Sequence, residues 1–270
     1  MRPLELYLTR VVEALESLPQ VRAIGKSGGA ELPNDGFSDI DLFILCSSVP
    51  TLAERNVLLT SLSEFAVVSS YGAFEHPHWG MVDSLLLGEQ EVYLMFFTMD
   101  VFQASITAIL RGERTQREEN YFYPTGRCAT LLGMHVFYDP DGIFARLRDM
   151  CADYPTALRE AIIQLHLPKI DDREDFMRAI RRADVLFYHS TLDLAMDHFL
   201  QTLFALNRIY FPSRKRSLSH INAFHIKPQD CEARLLKAIE LGAKGETLEE
   251  SYAVWQRLCE DLCGLISSSI

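Results

Sequence analysis

"GKSGGAELPNDGFSDIDLFILC", Gly25 to Cys46, decides how the rest of this chain reads. It begins with small residues, crosses a polar loop and ends in an apolar run opened by two aspartates one residue apart. "IDLFILC" has the length and composition of a buried strand. Strand side chains alternate faces, so Asp39 and Asp41 share one face, roughly 7 Å apart, while Ile40 and Leu42 take the other. Two like charges side by side repel, and burying either one uncompensated is costly. A divalent cation removes both costs. Hard oxygen ligands favour Mg²⁺, shared with the phosphates of a substrate. Ser27, Gly28 and Gly29 let backbone approach closely, and their N–H groups suit a phosphate. The plainer reading is that two acids merely end a loop, since Asp-x-Asp alone is common. Its conjunction with a Ser–Gly–Gly turn and an apolar strand favours phosphate and metal meeting at one spot.

Working outward, Leu4 to Leu18 has a helical pattern, with Leu6, Val11, Leu15 and Leu18 apolar, and "VRAIGKSG" is a short strand entering the turn. After the Asp-x-Asp strand come a helix over Leu52–Phe65, a third strand at "AVVSS", and a hairpin of "GMVDSLLL" and "EVYLMFF" around "GEQ". Asp100 to Leu110 reads as a helix. Beyond about Arg146 strand signals stop. Helical patterns cover "FARLRDMCADY", "TALREAIIQLHL", one long stretch from Glu174 to Asn207, "PQDCEARLLKAIEL" and "LEESYAVWQRLCEDLCGLI". The expectation is an α+β domain with a small mixed β-sheet over 1–145 and an all-α helical bundle domain over 146–270.

The bulk numbers bound the function. The chain has 270 residues, 48% of them hydrophobic, ample for one or two cores. Acidic residues number 37 against 26 basic ones, a net charge of −11. That excludes a tight sequence-independent grip on a nucleic acid polymer, which needs basic surface. The first twenty residues mix charges and lack the apolar core of a signal peptide, and no apolar run approaches membrane-spanning length. Cys46, Cys128, Cys151, Cys231, Cys259 and Cys263 lack close metal-ligand spacing and read as reduced thiols of a cytoplasmic protein, mostly buried.

"GKSGGAELPNDGFSDIDL" resembles the signature of the polymerase-β-type nucleotidyltransferase superfamily, a Gly-Ser turn followed by a Ser-Asp-x-Asp-Leu strand. The wider layout, a small α+β domain followed by helices, resembles the aminoglycoside-type adenylyltransferases. The resemblance implies that Ser27, Gly28 and Gly29 hold a nucleoside triphosphate and that Asp39 and Asp41 bind Mg²⁺. It also implies a third carboxylate on a later strand that helps activate the acceptor. The position most naturally aligned with that acid carries Tyr93. Glu91, two residues earlier on the same face, is the preferred candidate. Asp83 on the neighbouring hairpin strand is the alternative, and a site with no third carboxylate remains open. Lys26 stands where the family has Gly, so it either shifts the turn or adds a phosphate contact. The activity implied is Mg²⁺-dependent transfer of AMP from ATP to a hydroxyl of a small-molecule acceptor. The rivals are a protein-modifying nucleotidyltransferase and a non-catalytic nucleotide-binding or regulatory protein on the same scaffold, the last supported by Tyr93.

Other residues carry competing readings. His189, Asp193 and Asp197 recur at one-turn spacing, as either a polar stripe lining a cleft or a hydrogen-bonded helix surface. Arg208, Arg214, Lys215 and Arg216 form the most basic cluster, and Lys215 is the candidate to neutralise the triphosphate as a compact point charge. The alternative is a solvated loop beside a helix end. His76, His78 and Trp79 read as loop packing before zinc ligands or a stacking platform. Tyr121, Phe122 and Tyr123 read as core.

Overall fold

The computed structural model describes residues 3–32, 38–76, 78–118 and 122–268. The chain forms two compact units: Met1–Ala108 with Arg127–Asp153, and Ile109–Gly126 with Tyr154–Ile270. A cut at 145/146 differs from this division in two places: the segment Ile109–Gly126 goes with the second unit, and the first unit continues to Asp153.

The first unit is α+β. Helix α1 (Pro3–Glu16) leads into strand β1 (Val21–Lys26), and β2 (Ile40–Cys46) precedes α2 (Leu52–Thr60). Strands β3 (Ala66–His76), β4 (Gly80–Leu87) and β5 (Gln90–Thr98) follow, then α3 (Met99–Leu110), α4 (Pro124–Leu132), β6 (His135–Tyr138) and α5 (Ile143–Ala152). The six strands make one mixed sheet in the order β3-β4-β5-β2-β1-β6. Only the central pair β2·β5 is parallel.

Local chemistry explains the elements. Thr51 and Glu54 close a reciprocal capping box at the start of α2, which satisfies two orphan N–H groups. The β4–β5 connection is two residues long, with Gly88 at φ +66, as a turn with a left-handed first position requires. Strand β3 outruns "AVVSS" because an irregular register between Ser70 and Phe74, with Gly72 left-handed at φ 55, lets pairing resume beyond it. The β6 strand and α4 fall outside the sequence expectations. With only four residues, all half-buried, "HVFY" shows no alternation. It is a strand because the outer edge of β1 is there to pair with.

Alternation sorts the central strands into two faces. Ile40, Leu42, Ile44 and Cys46 of β2, with Val92, Leu94 and Phe96 of β5, pack against Val11, Leu15, Leu58 and Leu59 of α1 and α2. On the other face Phe43 stacks on Phe97 with ring centroids 5.9 Å apart, and Phe102 of α3 meets Phe97 edge-on at 5.1 Å. The Arg127 guanidinium lies 5.0–5.2 Å from all three rings and donates to the His78 carbonyl. Asp41 and Tyr93 belong to this second face.

Among the described residues the second unit is helical. It holds α6 (Thr156–His166), α7 (Arg173–Arg182), α8 (Val185–Leu206), α9 (Ser217–Ala223), α10 (Cys231–Leu241) and α11 (Leu248–Ser267). The long stretch from Glu174 to Asn207 is two helices, not one. Ala183 turns left-handed at φ 49, and Asp184 caps α8 by accepting the Phe187 N–H at 3.0 Å. Trp255 is fully buried and donates its indole N–H to the Ile170 carbonyl at 2.9 Å. Tyr188 donates to Ser251 Oγ at 2.7 Å, and Ser251 in turn donates to the Ala238 carbonyl at 2.6 Å.

This unit holds a histidine pair, His166 buried and His198 half-buried. His166 Nδ1 lies 2.7 Å from His198 Nδ1, and His166 Nε2 lies 3.3 Å from the Thr115 carbonyl. A carbonyl only accepts, so Nε2 of His166 carries the proton and its Nδ1 accepts from His198. Burial pushes His166 down to about 4, against the Thr115 hydrogen bond, which raises it. A histidine depressed in the folded state stabilises fully above its unfolded value near 6.5, and that contribution is lost as pH falls towards 4. We therefore expect wild type to lose about 2–3 kcal/mol more stability than His166→Gln between pH 7 and pH 4, read by urea unfolding. Parallel stability curves for the two proteins would contradict a buried neutral His166.

Candidate functional site

The site assembles at one end of the sheet because of strand directions. Strand β1 runs antiparallel to β2, so the end of β1 lies beside the start of β2, with Lys26 opposite Leu42. Residues 27–29 leave β1 at that point. Ser27 N–H donates to the Asp41 carbonyl at 3.1 Å, and Ser27 Oγ donates to Asp41 Oδ2 at 3.3 Å. Gly28 and Gly29 follow with φ +74 and +83, consecutive left-handed positions that a side chain would strain. A Cβ on Gly28 would meet nothing within 4 Å, so backbone conformation, not crowding, demands glycine there.

Strand β5 is parallel to β2 and starts at the same end, which sets Tyr93 directly beside Asp41. Neighbours in register share a face. Glu91, two residues before Tyr93 in β5, shares its face; Asp39 stands in the chain just before β2, and its charge reaches Tyr93. Tyr93 is the common neighbour: its hydroxyl donates to Glu91 Oε2 at 3.4 Å. Burial first, then the charges of Glu91, Asp39 and Asp41, push the Tyr93 phenol above its ordinary value. Asp41 and Tyr93 are half-buried, while Asp39 and Glu91 are exposed. Gln90 Nε2 donates to the Ser38 carbonyl at 2.6 Å, pinning the entry of β2 to the start of β5.

Lys26 is 3% exposed, and its ammonium donates to the carbonyls of Ser27 at 3.1 Å and Glu31 at 3.0 Å. It clamps the turn from beneath. Burial lowers its pKa, opposed by the Asp41 charge. An ammonium held by two carbonyls inside the turn shapes the loop, the first of the two roles open to it in the sequence.

Asp83 is removed from the site. Its partner on β5 is Leu94, so it points to the α1/α2 face, away from Tyr93. There it is fully buried and takes both Arg55 Nε at 2.7 Å and Arg55 Nη2 at 3.3 Å, with Gly72 N–H at 2.8 Å. An acid so engaged cannot serve as a third site carboxylate.

Among the described residues, no three His, Cys, Asp or Glu side chains converge to hold a metal ion. The donor set therefore does not fit an all-protein cage. Two carboxylates two residues apart, Asp39 just before β2 and Asp41 within it, do fit Mg²⁺, which keeps waters and completes its shell with substrate phosphates.

Lys215 belongs to the second unit; it is exposed, and its backbone N–H donates to Ser213 Oγ at 3.2 Å. Its neighbours are engaged locally: Arg214 pairs with Asp193, and Arg208 donates to the Tyr154 carbonyl at 3.0 Å. The polar stripe of α8 is split accordingly. Asp197 is buried and accepts from the Tyr123 hydroxyl and from Gln201 Nε2 at 2.9 Å. His189 is half-buried. Phe122 and Tyr123 are core, Tyr123 meeting Phe211 edge-on at 4.7 Å; Tyr121 and the His76 side chain lie outside the described residues. His78 is buried. The six cysteines are free, five buried and Cys263 exposed. No helix among the described residues is long and apolar enough to cross a membrane.

Comparison with known proteins adds little to the site itself. A family model described as a domain of unknown function, DUF4037, matches residues 123–216, about a third of the chain and outside the Asp-x-Asp segment. No curated protein matches. Among solved structures, a nucleotidyltransferase-like protein from Exiguobacterium sibiricum aligns over 98% of this chain and 74% of its own, at 14% identity and a TM-score of 0.47. A likeness that faint carries no argument about chemistry, so the functional reading stands on the residues of the site.

Proposed function

We propose that this chain is a nucleotidyltransferase that moves AMP from ATP to a hydroxyl of a small-molecule acceptor. The observation that carries the reading is one juxtaposition: the Ser27–Gly29 turn is tied by two hydrogen bonds to Asp41 at the start of β2, with Asp39 two residues earlier in the chain. Asp39 and Asp41 would hold Mg²⁺, which supplies charge neutralisation at the phosphates and makes the acceptor hydroxyl easier to deprotonate. The turn's N–H groups would bind the β- and γ-phosphates. Glu91 would take the acceptor's proton as its oxygen attacks the α-phosphorus and pyrophosphate leaves.

Tyr93, sitting in register beside Asp41, favours the second reading, a nucleotide-binding protein that transfers nothing. Glu91→Gln separates the two. With labelled ATP, pyrophosphate release should fall at least about 100-fold, the usual worth of a positioned general base. Mg–ATP binding should stay within about twofold of wild type, because a base that acts only in the transition state adds nothing to ground-state affinity. Wild-type protein that binds Mg–ATP but releases no pyrophosphate with any hydroxyl acceptor would select the second reading.

A further inference from the structure

A hydroxyl is already built into the proposed site, and it belongs to the protein. Tyr93 sits in register with Asp41 on the adjoining parallel strand, on the same face. Its Oη donates to Glu91 Oε2 at 3.4 Å, so the group suited to take a proton from an attacking oxygen is already the partner of this phenol. The Ser27 hydroxyl, by contrast, donates to Asp41 Oδ2 at 3.3 Å. Tyr93 is half-buried, not sealed. Its ring is positioned by the strand on either side, with Val92 and Leu94 both fully buried.

We infer that Tyr93 is a self-modification site: in the absence of an external acceptor, its hydroxyl receives the nucleoside monophosphate. The inference rests on the nucleotidyltransferase reading above. The step balances. A bond forms between Tyr93 Oη and the α-phosphorus of the triphosphate. The bond from the α-phosphorus to the bridging oxygen breaks, pyrophosphate leaves, and the phenolic proton passes to the Glu91 carboxylate. The product is a phosphodiester joining Tyr93 to the nucleoside. Such an adduct would occupy the space beside Asp39 and Asp41, so a labelled molecule should be blocked for further turnover. An acceptor that binds there would compete with labelling.

The test uses the full chain with Mg–ATP, and Mg–GTP, Mg–CTP and Mg–UTP in parallel, without added acceptor. Intact mass should rise by one nucleoside monophosphate residue with at least one of the four, and peptide mapping should put the adduct on Tyr93. Tyr93→Phe keeps the ring and its packing. It should show no adduct while binding Mg–ATP within about twofold of wild type by calorimetry. Glu91→Gln should label at least about 100-fold more slowly, as loss of the proton acceptor implies. Wild type that binds Mg–nucleotide but gains no mass overturns the inference and leaves the nucleotidyltransferase reading standing. So does an adduct on any other residue. Failure of wild type to bind any Mg–nucleotide overturns both.

Discussion

Asp83→Ala is expected to destabilise the first unit by about 3–5 kcal/mol, the cost of leaving one member of a buried ion pair alone. Arg55 is 4% exposed and Asp83 0%, and two hydrogen bonds at 2.7 and 3.3 Å join them. Without Asp83 the guanidinium stays under the sheet with only the Pro50 carbonyl at 2.6 Å and the Phe96 ring, 5.5 Å from its centroid. The Gly72 N–H loses its acceptor as well. Arg55→Met with Asp83→Leu should recover most of the loss, because the desolvation cost of both charges vanishes with the pair. Urea unfolding, with hydrogen exchange on the β2 and β5 amides, reads the effect where it arises. A loss below about 1 kcal/mol would mean that the pair is hydrated and belongs with surface ion pairs.

The second large effect concerns the two aspartates. Asparagine keeps the shape of the side chain but removes the charge and one anionic donor oxygen. Asp39→Asn with Asp41→Asn should weaken Mg–ATP by at least about 100-fold, or about 2.7 kcal/mol. The same change should leave the fold intact, with at most a small loss of stability. Asp39 and Glu91 are exposed, and asparagine at 41 can still accept from Ser27; the one cost is the Asp41 charge that supports the buried Lys26 ammonium.

The stretch from Gly25 to Cys46 marked the turn and strand β2. Strand geometry in "IDLFILC" puts Leu42 and Ile44 against the helices and Asp41 with Phe43 on the other face, as read. The "GEQ" hairpin was legible because a two-residue turn with glycine leaves few alternatives. What could not be read was contact between distant segments. Nothing in "GMVDSLLL" says that Asp83 faces an arginine 28 positions earlier. Only the pairing of Asp83 with Leu94 decides its face. The break at Ala183 was hidden because alanine is the strongest helix former, and only Asp184 hinted at a cap. Lys26 left two roles open in the sequence, and only the folded loop shows its ammonium on two carbonyls of that loop.

The central claim is that Asp39 and Asp41, with the Ser27–Gly29 turn, bind a metal–nucleoside triphosphate. Calorimetric titration of Mg–ATP into wild type and into Asp39→Asn/Asp41→Asn tests it most directly. The account predicts saturable, Mg²⁺-dependent binding to wild type and a loss of at least about 100-fold in the double variant, with both proteins unfolding at similar urea concentrations. Equal affinity and equal metal dependence in the two proteins would contradict it.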